Sequence, residues 1–270
     1  MKTVHYPMPE APLGELTFEF DEASWVQASM ADCLESPAGY EPATWAAMRA
    51  ILRPGDVAID VGGHIGVMTC YLGALVGLDG RVEAFEPVPE NRTRLLHHVL
   101  LNGLLSCVQV HANAVGRTAS RVLFHCNADN DGGGALWDVR THPVNEKSRA
   151  AGDRAMPVYL DTLDDVIFST GVRLVKIDTE GAELEVLAGA ERTITRDQPY
   201  VIAEINRHGL QQMGATEREL RGFLTDRGYR CFLLWDQAPY LRELPLGSYL
   251  QTDYVFNCLF VPAGAEVPCV

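Results

Sequence analysis

One short stretch, residues 57–66, constrains the fold of this chain more than any other. An apolar run ends at Asp60, and a turn with three glycines follows it: Gly62, Gly63 and Gly66. Residues 67–78 then continue as an apolar helix pattern. A buried strand, a glycine turn and a helix start form the layout that opens a nucleotide-type site in a doubly wound α/β domain. Because glycine lacks Cβ, such a turn can be sharp and can approach a ligand closely.

The rest of the core alternates strand and helix patterns, which predicts an α/β fold with a doubly wound, Rossmann-like sheet. The final two strand patterns are joined without a helix, which favours an antiparallel pair. The core strand patterns after the first one are 81–86, 108–111, 173–178, 200–205, 229–235 and 254–261.

We expect a single domain over 1–270, with an N-terminal extension (1–40) and a core (41–270). The core contains an irregular insertion around 121–156, which is rich in glycine and polar residues. Long irregular segments in compact domains are often lids or binding loops. We therefore expect the insertion and the extension to shape the pocket.

Composition narrows the partners of the protein. The net charge of −14 and the pI near 4.9 argue against nucleic acid or an anionic membrane as partner, because both need a basic face. The seven cysteines are scattered without a CxxC pair, which favours free thiols in a reducing compartment. The chain start lacks the apolar core of a signal peptide, and no run reaches about 20 apolar residues. A cytoplasmic protein is expected.

Carboxylates end four of the predicted core strands. They are Asp60, Glu86, Asp178 and Glu204, and Asn113 follows the third strand. The ends of parallel strands meet at one edge of a sheet, where doubly wound folds bind ligands. Glu86 comes 24 residues after Gly62, close to the spacing of an acid that binds ribose hydroxyls. This feature indicates a ribose, whatever the reaction.

The spacing of the glycine turn discriminates between cofactors. A dinucleotide site has the pattern G-x-G-x-x-G, whereas the turn at 62–66 has one residue too few between its last glycines. Asp60 stands ahead of the first glycine, where its charge would repel a pyrophosphate. An ammonium and a sulfonium group suit that position better. The turn therefore favours S-adenosyl-L-methionine (SAM).

Four motifs resemble those of the FkbM-like family of SAM-dependent methyltransferases. They are Asp-Val-Gly-Gly-His-Ile-Gly at 60–66, Ala-Phe-Glu-Pro-Val-Pro-Glu-Asn at 84–91, Thr-Leu-Asp-Asp at 162–165 and Val-Lys-Ile-Asp-Thr-Glu-Gly-Ala-Glu at 175–183. The resemblance covers about residues 40 to 205. It implies a sheet of about seven strands with an antiparallel last strand, SAM as cofactor, and O-methylation of a natural product, sugar or lipid-linked hydroxyl.

The resemblance also implies roles for individual residues. The methionine part of SAM would lie among Asp60, Gly62, Gly63 and His64, in the turn that Gly66 ends. Glu86 would bind the ribose, and the adenine would lie between Val88, Asn113 and Ala114. Asp178 would lie near the amino group and the transferred methyl. The family commonly has Ala-Asn where this chain has Gly63-His64, so His64 either replaces the amide as a donor or reaches toward the methyl.

Methyl transfer to a hydroxyl requires a group that removes one proton. The candidate bases are His208, His64, Asp178 and Glu204. A histidine titrates near neutral pH, which makes His208 the first choice. Oxygen ligands at neighbouring strand ends also leave a magnesium-assisted reaction open.

Two other functions share these features. An NAD(P)-dependent oxidoreductase or epimerase would use the same sheet and the same acid at Glu86. A non-catalytic SAM-binding protein on a methyltransferase scaffold is the other alternative. A methyltransferase acting on a small-molecule hydroxyl is the preferred interpretation.

Overall fold

The computed structural model describes residues 1–8, 11, 14–152, 154–237, 240–252 and 255–270. Their strands are β1 (Lys2–Met8), β2 (Gly14–Phe20), β3 (Val57–Val61), β4 (Arg81–Phe85), β5 (Val108–His111), β6 (Ala114–Val115), β7 (Ser120–His125), β8 (Ala155–Asp161), β9 (Val172–Ile177), β10 (Tyr200–Ile205), β11 (Arg230–Leu234), β12 (Leu241–Glu243) and β13 (Phe256–Val261). Their α-helices are α1 (Trp25–Glu35), α2 (Pro42–Ile51), α3 (Val67–Val76), α4 (Pro89–Leu101), α5 (Glu146–Ala151), α6 (Leu163–Val166), α7 (Glu183–Ala188), α8 (Glu191–Asp197), α9 (Arg207–Gln212) and α10 (Glu217–Thr225). Within these residues, no helix combines the length and apolarity that crossing a membrane requires.

The central sheet has eight strands in the order β12-β11-β13-β10-β9-β3-β4-β5. Strands β5, β4, β3, β9 and β10 are parallel, and β13 runs antiparallel to both β10 and β11. The predicted α/β fold with an antiparallel last strand is therefore confirmed. The three-residue strand β12 pairs with the edge of β11 and raises the strand count from about seven to eight.

Strand order reverses at β3, which pairs with β4 on one side and β9 on the other. Both faces of β3 are covered: Ala58 packs in one apolar cluster, and Ile59 and Val61 pack in the other. A strand buried on both faces has a continuous apolar sequence, as residues 57–59 do before Asp60. The loops at its carboxyl end thus border the crevice where doubly wound folds bind ligands.

The insertion around 121–156 is more regular than the sequence indicated. Strands β7 and β8 pair antiparallel, and β6 joins β8 to form a separate three-stranded sheet. The pairing joins Ser120 to Leu160 across a long intervening segment. Since the partners lie far apart in the chain, local patterns gave no signal for this sheet. In the N-terminal extension, β1 and β2 form an antiparallel pair beside α1.

Candidate active site

The glycine turn after β3 is shaped by contact between main chains. Gly62 has a φ of +89°, and a Cβ there would overlap the main-chain oxygen of Asp178. The N–H groups of Gly62 and Gly63 both donate to the carbonyl oxygen of Phe85, at 3.0 and 2.9 Å. These contacts hold the ends of β3, β4 and β9 together. Glycine is therefore required at position 62 by the junction of the strands as well as by any ligand.

A cavity of about 230 Å³ opens at this junction. The predicted site residues that line it are Gly62, Gly63, His64, Glu86, Val88, Asn113, Ala114, Asp178 and Glu204. The predicted residues Asp60, Gly66 and His208 do not line it. Residues of the N-terminal extension (Val26, Met30) and of the insertion (Asn130, Asp131) complete the wall, as expected from the sequence.

Asp60 lies behind the cavity and organises its wall. Its side chain is fully buried; Oδ2 accepts a 2.6 Å hydrogen bond from the Thr69 hydroxyl, and Oδ1 lies 3.6 Å from Lys176 Nζ. Lys176 Nζ also donates to Asp178 Oδ2 at 3.2 Å. Burial acts to lower the pKa of Lys176, but the charges of Asp178, Asp60 and Glu41 outweigh it and raise the pKa. Lys176 is therefore the cation that links the acids of β3 and β9.

Glu86 closes the turn and faces the cavity. Its Oε2 accepts from the His64 N–H and its Oε1 from the Val88 N–H, both at 2.8 Å. Burial raises the pKa of Glu86 to about 7, against the effect of these hydrogen bonds. Each carboxylate oxygen has further lone pairs, so Glu86 can accept hydroxyl donors from a ribose while it holds the turn.

His64 faces the insertion. Its main chain has a left-handed φ of 48°, and its Nε2 lies 3.4 Å from Asp131 Oδ1. Burial acts to raise the pKa of Asp131, but the hydrogen bonding and charge of His64 dominate and lower it to about 2. The His64 side chain therefore lies against Asp131 of the insertion. Its role as a donor to the cofactor or as a group that reaches the methyl stays a prediction.

Carboxylates are concentrated on the cavity wall at the ends of β9 and β10. Burial, followed by the charge of Asp178, raises the pKa of Glu180 to about 8. The same causes raise the pKa of Glu204 well above its ordinary value. Glu204 Oε2 is buried and has no hydrogen-bond partner among the described residues. The cavity wall therefore contains an acid with one oxygen that no described residue hydrogen-bonds.

His208 lies outside this cavity. Its ring contacts those of His142 and Trp137, with centroids 4.3 and 5.3 Å apart, and burial lowers its pKa. Its assignment as the base stays a prediction, and the placement of Glu204 favours the carboxylate instead. A magnesium-assisted reaction also stays a prediction. Within the described ranges, no three His, Cys, Asp or Glu side chains are arranged to hold a metal.

The lining residues that the sequence interpretation did not assign to the site include three with polar side chains from outside the sheet. Tyr40 and Glu41 precede α2, and Asp131 lies in the insertion. Glu41 adopts a left-handed φ of 41°, and its Oε2 accepts from Asn257 Nδ2 at 3.0 Å. Burial raises the pKa of Glu41 to about 6. Only the glycines after Asp131 hinted at a functional loop, and nothing local marked Tyr40 or Glu41.

The lining of the cavity fits SAM at both ends. Six of the described lining residues carry carboxyl groups, whereas Lys176 supplies a single ammonium group. Such an excess of acids suits the sulfonium and ammonium charges of that cofactor. At the other end, apolar side chains beside Asn113 offer a surface for a flat base: Val88, Ala114, Val115, Phe124 and Leu136.

The comparisons with known proteins identify the family. The family described as Methyltransferase FkbM domain matches residues 60–231. A curated relative, Methyltransferase 1 of Beauveria bassiana (strain ARSEF 2860), is 26% identical over 145 residues, covering 49% of this chain and 57% of the relative. The chain thus spans less than two thirds of that relative. The family match supports a methyltransferase and leaves the oxidoreductase alternative unsupported.

Two solved structures are similar to the chain. The methyltransferase FkbM from Methylobacillus flagellatus KT is 19% identical, with a TM-score of 0.46 over 76% of this chain and 43% of that one. The SAM-dependent O-methyltransferase from Thermotoga maritima is 12% identical, with a TM-score of 0.45 over 85% of this chain and 67% of that one. Because the family match covers more than half of its residues, the chain belongs to the FkbM family of methyltransferases, and its cofactor is SAM.

Proposed function

We propose that the protein is an O-methyltransferase that acts on a hydroxyl group of a small molecule, such as a natural product, a sugar or a lipid-linked glycan. The observation that carries the proposal is the free, buried Oε2 of Glu204 on the wall of the SAM cavity. When bound, SAM supplies a methyl group on a positively charged sulfur. The protein must then orient the acceptor oxygen, exclude water and remove one proton.

Glu204 is suited to the proton transfer. Its burial, followed by the charges of Asp178 and Glu180, raises its pKa, which makes its carboxylate a stronger base once ionised. A cation held beside the acids lowers their pKa values again and favours the ionised form. SAM would supply the methyl group and leave as S-adenosylhomocysteine when its carbon–sulfur bond breaks, and ionised Glu204 Oε2 would accept the proton of the acceptor hydroxyl. Lys176 and Asp178 keep the neighbouring wall in place.

The carboxylate role is tested with Glu204→Gln, which keeps the shape of the side chain and removes the base. We expect methyl transfer to fall by about 10²- to 10⁴-fold, while affinity for S-adenosylhomocysteine changes by less than about tenfold. Transfer of labelled methyl from SAM to a panel of hydroxyl compounds measures the first quantity, and calorimetry the second. Glu146→Gln, an exposed residue of α5, is the matched control.

The acceptor panel also separates the proposal from its alternatives. Products methylated on nitrogen or carbon would contradict O-methylation. Binding of S-adenosylhomocysteine without transfer to any compound would favour a non-catalytic SAM-binding protein. We infer a cytoplasmic location from the scattered cysteines, all of which are free in the structure.

A further inference from the structure

A second cavity, of about 540 Å³, lies beside the first. The residues around it belong to α9, to the first turns of α10 and to the segment 246–252. The two cavities share a wall. Asn206 Nδ2, next to the second cavity, donates to Glu180 Oε2 of the first at 2.6 Å, and a Cβ on Gly181 would overlap the main chain of Gly209.

Two arginines in the wall of the second cavity share a single carboxylate. Arg207 Nε lies 2.7 Å from Glu217 Oε2, and Arg221 Nη1 lies 2.8 Å from Glu217 Oε1. Their other hydrogen bonds among the described residues go to the main-chain oxygens of Leu244, Pro245, Ser248, Leu250 and Thr252. Arg221 is only 1% exposed. Two positive charges therefore share one negative charge among the described residues, which leaves room for a further anion as counter-ion.

Arg218 adds a third cation to the lining. Its side chain is exposed, and among the described residues it makes no hydrogen bond or ion pair. The nearby Glu219 accepts from the Thr216 hydroxyl at 2.7 Å as part of a capping box and does not line the cavity. With Arg207, Arg221 and Glu217, the described lining residues carry a net charge of +2, in a chain of net charge −14. The two adjacent cavities thus have opposite charge.

Neutral hydrogen-bond donors complete the second cavity. The hydroxyl-bearing side chains of Ser248 and Tyr249 line it, and the buried Nε2 of His208 has no partner in the described part of the chain. Guanidinium groups combined with hydroxyl donors recognise carboxylate and phosphate oxygens. We propose that this cavity binds an anionic oxygen group, a carboxylate or a phosphate. The site is separate from methyl transfer and does not depend on the proposed function.

The test measures binding of inorganic phosphate and of acetate to the full chain by calorimetry. Potassium chloride at equal ionic strength serves as the reference, because the effect of added salt on all surface charges must be subtracted from specific anion binding. Because Arg218 is exposed, we expect Arg218→Gln to keep the fold and to weaken anion binding roughly fivefold or more. Arg192→Gln is the matched control: Arg192 is also exposed, and each arginine is the second residue of its helix after a glutamate.

Each outcome decides the proposal. Binding of either anion that Arg218→Gln weakens and Arg192→Gln leaves unchanged supports it, and the tighter anion identifies phosphate or carboxylate as the source. We expect Ser248→Ala to weaken binding of the same anion. Absence of binding of both anions would overturn the proposal, as would equal weakening by the two arginine variants. Neither result bears on SAM binding, which is measured separately with S-adenosylhomocysteine.

Discussion

Backbone strain at single residues is gathered at the first cavity. Among the described residues, four non-glycine residues have positive φ, and three of them line the cavity: Glu41, His64 and Glu180. The fourth, Gln198, ends α8. A left-handed residue other than glycine costs on the order of 1 kcal/mol, so surrounding contacts must stabilise it. Asn257 provides one such contact to Glu41. The concentration of strain supports the placement of the functional site.

The first prediction concerns Gly62. Gly62 and Gly55 have nearly the same φ, +89° and +90°, but only at Gly62 would a Cβ meet other atoms. We expect Gly55→Ala to lower the free energy of unfolding by about 1 kcal/mol and Gly62→Ala by about 3 kcal/mol or more. Urea denaturation of both variants measures the difference. Equal losses would show that the β3–β9 junction tolerates a methyl group.

At the scale of elements, α1 and the loop 127–134 cover the cavity together. Gln27 Nε2 donates to Asp131 Oδ2 at 2.6 Å, and the Trp25 indole N–H donates to the main-chain oxygen of Asp129. From the other side, Asn91 Nδ2 donates to the main-chain oxygen of Asp131 at 2.9 Å. Helices α1 and α4 thus both hold the loop against the site. Loops held by a few polar contacts open locally more easily than the core.

The second prediction concerns this cover. Asp131→Ala removes the contacts with Gln27 and His64, and we expect faster amide hydrogen exchange over 127–134 and about fivefold weaker binding of S-adenosylhomocysteine. Asp138→Ala serves as control, because the side chain of Asp138 hydrogen-bonds the nearby Arg140 and contributes no hydrogen bond to Gln27 or His64 within the described residues. If the two variants behave alike, the Asp131 contacts do not hold the loop closed.

At the scale of the whole molecule, buried acids make stability depend on pH. Burial raises the pKa of Glu41 to about 6, of Glu86 and Glu183 to about 7, and of Glu180 to about 8. A carboxyl whose pKa is higher in the folded state keeps its proton there while the unfolded chain has lost it. Folding is therefore favoured at low pH and loses stability as the pH rises through these values. His98, whose pKa burial lowers, acts in the opposite direction.

The third prediction follows from this balance. Between about pH 5 and pH 8 we expect the free energy of unfolding of the ligand-free protein to fall by roughly 2 kcal/mol or more. Urea denaturation across this range measures it. Glu180→Gln should flatten the dependence, since it removes one of the titrating acids. A stability that rises with pH, or an unchanged slope in the variant, would contradict the assignment.

A fourth prediction links these acids to the cofactor. Positive charge bound beside Glu180 and Glu204 lowers their pKa values, so binding of SAM should release protons near pH 7. Calorimetry in buffers of different ionisation enthalpy counts the protons. We expect about one proton released per SAM at pH 7, and fewer for Glu180→Gln. Proton uptake on binding would exclude a neutral carboxyl cluster in the free protein.

The sequence by itself determined the fold class and the cofactor. Both depend on local patterns: a strand, turn and helix at 57–66, and acids at successive strand ends. Several glycine and acid positions, among them Gly63 and Glu86, lie on the cavity as expected. These positions come together because the carboxyl ends of parallel strands must meet at one edge of the sheet.

Only the tertiary structure decided which groups face the ligand. Asp60 has the predicted position but turns away from the cavity toward Thr69, because Lys176 and the buried strand ends surround it. Glu41 lines the cavity and accepts a hydrogen bond from Asn257, which is 216 positions away in the chain. No local sequence pattern encodes this contact. Side-chain direction and contacts between distant segments depend on how the packed elements meet. For that reason the sequence predicted the site's position and cofactor, and the fold determined its wall, its cover and the neighbouring basic cavity.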